Sequence, residues 1–117
     1  MTTSETTHCE REAPALATAL LSRDYRCHGW MSHSDYELWQ RRLPGGQFVN
    51  VELRPRNAFF ERHEPSAEVV TVFETALGYW TEVRLYAFGS ASNVADRIEE
   101  IEYFAAQVYG VLGGIET

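Results

Sequence analysis

The chain has 117 residues, is 44% hydrophobic and carries 17 acidic against 10 basic side chains, for a net charge of −7. That length predicts one domain with a core large enough to need no metal or disulfide staple. The composition excludes wholesale disorder, and no apolar run approaches the roughly 20 residues of a membrane-spanning helix.

Residues 1–11 read as a flexible polar leader and 12–117 as a single α+β domain. The leader lacks the basic and apolar regions of a signal peptide, which predicts a cytoplasmic protein with Cys9 and Cys27 as free thiols. All ten cations are Arg, so lysine chemistry is excluded and every cation is a planar fork suited to carboxylates and stacking. Charge is unevenly laid out. Residues 38–63 hold Arg41, Arg42, Arg54, Arg56 and Arg62 against Glu52 and Glu61, whereas 64–117 hold nine acids and two Arg. Either the molecule is electrically polar, or the two regions pair in the fold.

In chain order, Pro14 to Arg23 reads as a helix, with proline at its first turn. The segment Tyr25–His33, YRCHGWMSH, reads as buried, with Trp30 and Met31 in the core. Tyr36–Leu43 and Gln47–Arg54 form a hairpin around Pro44-Gly45-Gly46. In its second strand Val49, Val51 and Leu53 alternate with polar residues. Pro55 closes that strand, and Ala58–His63 is read as a short further strand. Residues 67–77 satisfy both periods; β-branched density favours a strand, with Ala76-Leu77-Gly78 as a turn. Trp80–Phe88 follows as a strand with Trp80, Glu82, Arg84, Tyr86 and Phe88 on one face.

The last helix carries the clearest pattern. Val94, Ile98, Ile101, Ala105, Val108, Leu112 and Ile115 keep a 4-3 spacing, with Ser92 or Asn93 as cap and a run from about Asn93 to Val111. The predicted architecture is an N-terminal helix, an antiparallel meander of four to five strands and a long amphipathic C-terminal helix packed on the sheet.

Little in the sequence carries reaction chemistry. His8, Cys9, Cys27, His28, His33 and His63 contain no close ligand pair of the kind zinc sites use, so no metal or other cofactor is expected. In a strand, neighbours Cys27 and His28 face opposite ways, which excludes them as nucleophile and base. Only a turn at Gly29 would bring His28 and His33 toward each other and toward His63. No phosphate loop is present. The Arg-rich centre with Phe48, Phe59 and Phe60 imitates a nucleic-acid-binding sheet, yet the net charge opposes a polyanion.

What remains is a surface. Asp96, Glu99, Glu100 and Glu102 fall outside the apolar stripe of the last helix together with Tyr103, and Trp80 and Tyr86 supply aromatic anchors. Both sheet faces are apolar, so the N-terminal helix or an interface must cover the second. In size, acidity and flanking helices the chain resembles small acidic adaptor, inhibitor and chaperone proteins of bacteria and their phages. The expectation is therefore a non-catalytic interaction module: an inhibitor, an immunity or anti-defence protein, or a chaperone-like adaptor. It would bind a partner protein with a basic surface, with no role for a membrane. The alternatives are a small-ligand binder or enzyme with a His-lined pocket, a homodimer built on the aromatic sheet face or the helix heptads, and a nucleic-acid binder using the Arg-rich strands.

Overall fold

A computed structural model describes residues 6–54 and 65–113. It has the predicted α+β architecture. Two short helices, α1 (His8–Glu12) and α2 (Pro14–Ser22), precede five strands. These are β1 (Arg26–Met31), β2 (Tyr36–Arg42), β3 (Phe48–Arg54), β4 (Ser66–Glu74) and β5 (Trp80–Ser90), and α3 (Ala91–Leu112) ends the described fold. The strands form one antiparallel sheet in the order β1-β2-β3-β4-β5. Every connection joins neighbours, as a meander requires. The segments read as a strand at 58–63, a stop at Pro55 and the last heptad position at Ile115 lie outside the described residues.

The β2–β3 hairpin follows the expected register, with Trp39 opposite Val51 and Arg41 opposite Val49. Its turn closes by Leu43 donating to Gln47 O at 2.8 Å and Gly46 donating to Leu43 O at 2.8 Å. Gly46 sits at φ 100°, a left-handed conformation that a β-carbon would strain. Residues 66–74 are strand, as β-branching favours, and Ser66 to Val72 pair with the whole of β3.

One sheet face carries Trp39, Val49, Val51, Leu53, Ala67 and Val69, buried with Leu16 and Leu20 of α2 and Val94, Ile98, Ile101 and Ala105 of α3. Alternating burial in the strands and the 4-3 stripe of the helix thus meet in one core. Both longer helices pack on that same face. The N-terminal helix therefore does not cover the opposite face, contrary to one expectation, because its apolar side joins the α3 seam. The opposite face carries half-buried Tyr36, Leu38 and Phe48 and buried Val70.

Three other local expectations are corrected. Residues 8–11, read as the end of a polar leader, belong to α1, opened by a capping box in which Thr7 and Glu10 satisfy each other's amides. Its Cys9 is fully buried. Trp30 is 40% exposed rather than core, tilted against His8 at 5.1 Å between ring centroids. The buried aromatic of that segment is Tyr25. In β5, Val70 pairs with Arg84 but Val69 pairs with Tyr86, so an extra residue at Leu85 breaks the alternation. Tyr86 is thereby carried to the helix-covered side and packs against the core, while Trp80 stays 63% exposed. The two do not share a face.

Helix α3 starts two residues earlier than predicted because Ser90, not Ser92 or Asn93, is the cap; its hydroxyl accepts from Asn93 N at 3.2 Å.

Candidate functional site

The outward side of α3 takes shape from the spacing of its residues. With Val94, Ile98, Ile101 and Ala105 turned to the core, Asp96, Glu99, Glu100 and Tyr103 occupy the opposite arc and all four are exposed. Phe104 extends that arc, 46% exposed, its ring edge-on to Tyr103 at 6.3 Å. Arg97 pairs weakly with Glu100 at 3.5 Å, both in solvent. Carboxylates and aromatic rings therefore lie side by side in water.

Glu102 does not belong to this face. Expected on its flank, it is 8% exposed and holds the helix to two other elements. Its carboxylate accepts from Arg23 Nε at 3.1 Å and Nη2 at 2.6 Å, from Arg41 Nη1 at 2.9 Å, and from the Tyr25 hydroxyl at 2.7 Å. Burial pushes its pKa up, but the bonds from Arg23 and Tyr25 and the charge of Arg41 outweigh this and hold it below the usual glutamate value. Burial and the bond to Glu102 raise the Tyr25 phenol in turn. No pattern in the sequence signals this knot, because the donors lie 61 to 79 positions from Glu102.

Beside the knot, α3 and the β2–β3 turn enclose a groove of about 700 Å³. Arg23, Arg41, Gln47, Glu99, Tyr103 and Tyr109 are among its walls. Gln47 is 3% exposed, yet its Oε1 has no hydrogen-bond partner. Sequence reading missed this groove entirely.

The described central arginines Arg41, Arg42 and Arg54 all have partners within the fold. Arg41 serves Glu102. Arg54 lies 3.7 Å from buried Glu68 and stacks over Tyr36 at 5.6 Å, and Arg84 reaches the same Glu68 at 3.8 Å. Arg42 lies over the Phe48 ring at 5.5 Å. Arg56 and Arg62 lie outside the described residues. On this open sheet face, burial, reinforced by Glu68 and Glu82, raises the Glu52 pKa against the pull of Arg54 and Arg84. The basic middle and the acidic C-terminal half thus pair with each other at Arg41–Glu102 and Arg54–Glu68.

At the other end, Glu37 organises the N-terminus. Its carboxylate accepts from the amides of His8 at 2.8 Å and Cys9 at 3.0 Å and from Trp39 Nε1 at 2.9 Å. A second groove of about 680 Å³ there is lined by His8, Cys27, Trp30 and Glu37. Burial and the nearby Glu37 charge push the Cys9 thiol up to about 12, the opposite of an activated nucleophile. His28 falls in the β1 bulge and His33 in the β1–β2 turn, both exposed, while His63 lies outside the described residues. Among the described residues no group of three His, Cys, Asp or Glu is arranged to hold a metal. Among them, too, no helix is long and apolar enough to cross a membrane.

Large apolar side chains also collect in solvent where the β4–β5 turn meets the end of α3. Thr75 bridges to Gly113, which brings Leu77, Tyr79 and Trp80 to the same end of the molecule as Val111 and Leu112.

Comparison with protein-family models, with curated proteins and with solved structures returned no match.

Proposed function

We propose that this chain is a non-catalytic interaction module that binds a partner protein of basic surface through the outward face of α3. One observation carries the reading: within about two and a half helical turns, Asp96, Glu99 and Glu100 stand in solvent beside Tyr103, which is 64% exposed, and Phe104. A helix that has already completed its core has no internal use for two exposed rings. Aromatic anchors ringed by like charges are the arrangement in which the rings supply affinity and the charges steer approach. Glu102 and Tyr86 are retired from the expected surface, being engaged inside the fold, and Trp80 stands on the sheet face away from α3. Inhibitor, immunity-type and chaperone-like adaptor roles all share this chemistry. The cytoplasm is the compartment in which both free thiols would persist.

The test is affinity capture from the host followed by mass spectrometry, at low and high ionic strength, with the wild type and a D96N/E99Q/E100Q variant. The expected result is a basic partner retained by the wild type at low salt. It is lost at high salt and from the variant. A partner held equally under all these conditions overturns the reading.

A second reading, a small-ligand binder, is favoured by the groove at Gln47; neither His28 nor His33 is among the described residues that line it.

A further inference from the structure

We propose that the outer edge of β5 pairs antiparallel with the same edge of a second copy of this chain, about a twofold axis at Val83, joining the two sheets into one. The strand order leaves β1 and β5 without an outer neighbour among the described residues. An unpaired edge is a row of donors and acceptors ready for another strand. The two edges differ. β1 is six residues long and its register slips between Cys27 and Gly29, with Gly29 at φ 90°. Such a bulge in the middle of an edge interrupts pairing and protects it. β5 keeps an unbroken register with β4 from Trp80 to Arg84, its own bulge at Leu85 lying beyond.

Hydrogen-bond direction restricts how a strand can be added. Thr75 N donates to Tyr79 O at 2.7 Å across the β4–β5 turn. Bonded and non-bonded pairs alternate along an antiparallel ladder. Thr81 and Val83 therefore turn their backbone groups to β4, while Trp80, Glu82 and Arg84 turn theirs outward. A second copy must set outward residues opposite outward residues.

Charge then selects the register. Opposite charges directly across two strands stabilise the pair, and like charges destabilise it. With the axis at Glu82, that carboxylate opposes itself; with the axis at Arg84, the guanidinium opposes itself. With the axis at Val83, Glu82 of each copy faces Arg84 of the other, twice by symmetry. Both side chains stand in solvent on the sheet face away from α3, that of Arg84 56% exposed. Val83, half-buried on the helix-covered side, meets its own copy as a non-bonded pair, the closer kind. Trp80, 63% exposed, comes diagonal to Arg84 of the second copy, within reach of a cation–π contact. An edge complementary to itself in both hydrogen bonding and charge fits a second copy, since a twofold interface sets the same patch against itself.

Sedimentation velocity of the full chain over a concentration series, together with oxidative cross-linking, tests the pairing. The expected result is a reversible monomer–dimer equilibrium. E82R and R84E are each expected to weaken dimerisation about tenfold, because each puts two like pairs in place of two opposite ones, and E82R/R84E to restore it. V83C is expected to form a covalent dimer under mild oxidation, since residues facing across a non-bonded pair have Cα atoms about 4.5 Å apart, within disulfide reach. T81C, more than about 13 Å from its copy in this register, and the wild type with Cys9 and Cys27 are expected to stay uncross-linked. A chain that remains monomeric up to about 1 mM overturns the proposal. So does a double variant that dimerises no better than the single ones, or V83C that cross-links no better than T81C. A dimer indifferent to all these substitutions belongs to another face and likewise overturns it. None of Asp96, Glu99, Glu100 or Tyr103 takes part in the pairing, so the partner-capture result is read independently.

Discussion

Glu99 and Glu102 stand one turn apart on α3 and have opposite fates. Glu99 lies in solvent with Asp96 and Glu100, free to act on something outside the molecule. Glu102 is turned by about 60° toward the seam, where α2 and β2 crowd it, and it becomes a strut receiving Arg23, Arg41 and Tyr25. The same side chain on the same helix is a recognition group in one register and an internal fastener in the next. Helical position sets which side a carboxylate faces; neighbouring elements decide whether that side is wet.

Substitution at the two positions separates these roles most sharply. Glu102→Ala leaves two guanidinium groups and a buried phenol without an acceptor. It is expected to destabilise the fold by about 3 kcal/mol, the low end for a broken buried pair because both arginines are partly solvated. Urea unfolding at neutral pH measures it, and a loss below about 1 kcal/mol would place Glu102 among the surface acids.

The pH dependence follows from the same contrast. The Glu102 pKa is lowered in the folded state, so its stabilisation is present above the unfolded glutamate value of about 4.3 and is lost as pH falls through the folded value. The urea midpoint of the wild type is expected to drop across that acidic window more steeply than that of Glu102→Gln. At the alkaline side the sign reverses. Cys9, raised to about 12, contributes stability that is complete below its unfolded pKa and declines as pH rises from about 9 toward 12. Cys9→Ala is expected to flatten that decline.

Smaller effects follow. Ser90→Ala removes the α3 cap and is expected to cost about 1 kcal/mol, read by thermal or urea unfolding. E99Q and E100Q, in solvent, are each expected to change stability by less than about 0.5 kcal/mol while weakening capture of a basic partner. A large stability loss there would erase the distinction between the two carboxylates.

Much of the fold was legible from residue pattern. The β2–β3 hairpin declared itself through strict alternation around a Pro-Gly-Gly turn, and α3 through its 4-3 stripe. Both signals are local: the period and the turn residues sit within one element. The features that escaped are those whose cause lies elsewhere in the chain. Trp30 looked like core by composition, yet β1 is an edge strand and places it against His8. Tyr86 looked like a partner of Trp80 until the Leu85 bulge shifted the register. Residues 8–11 looked like part of a leader, yet Glu37, far along the chain, supplies the acceptor that seats the His8 and Cys9 amides. Of the candidate surface, Asp96, Glu99, Glu100 and Tyr103 were readable as outward residues. The groove was not, since it joins side chains from α2, the β2–β3 turn and α3.

By itself, the sequence determined the α+β class, the elements with strong periods and which arc of α3 would be polar, because these depend on the spacing of side chains along one backbone. Only the tertiary structure decided which acid is buried, which arginines are consumed in ion pairs and where an acceptor is buried without a partner. Those outcomes depend on groups many positions apart meeting at hydrogen-bond distance, where desolvation makes each pairing or its absence matter.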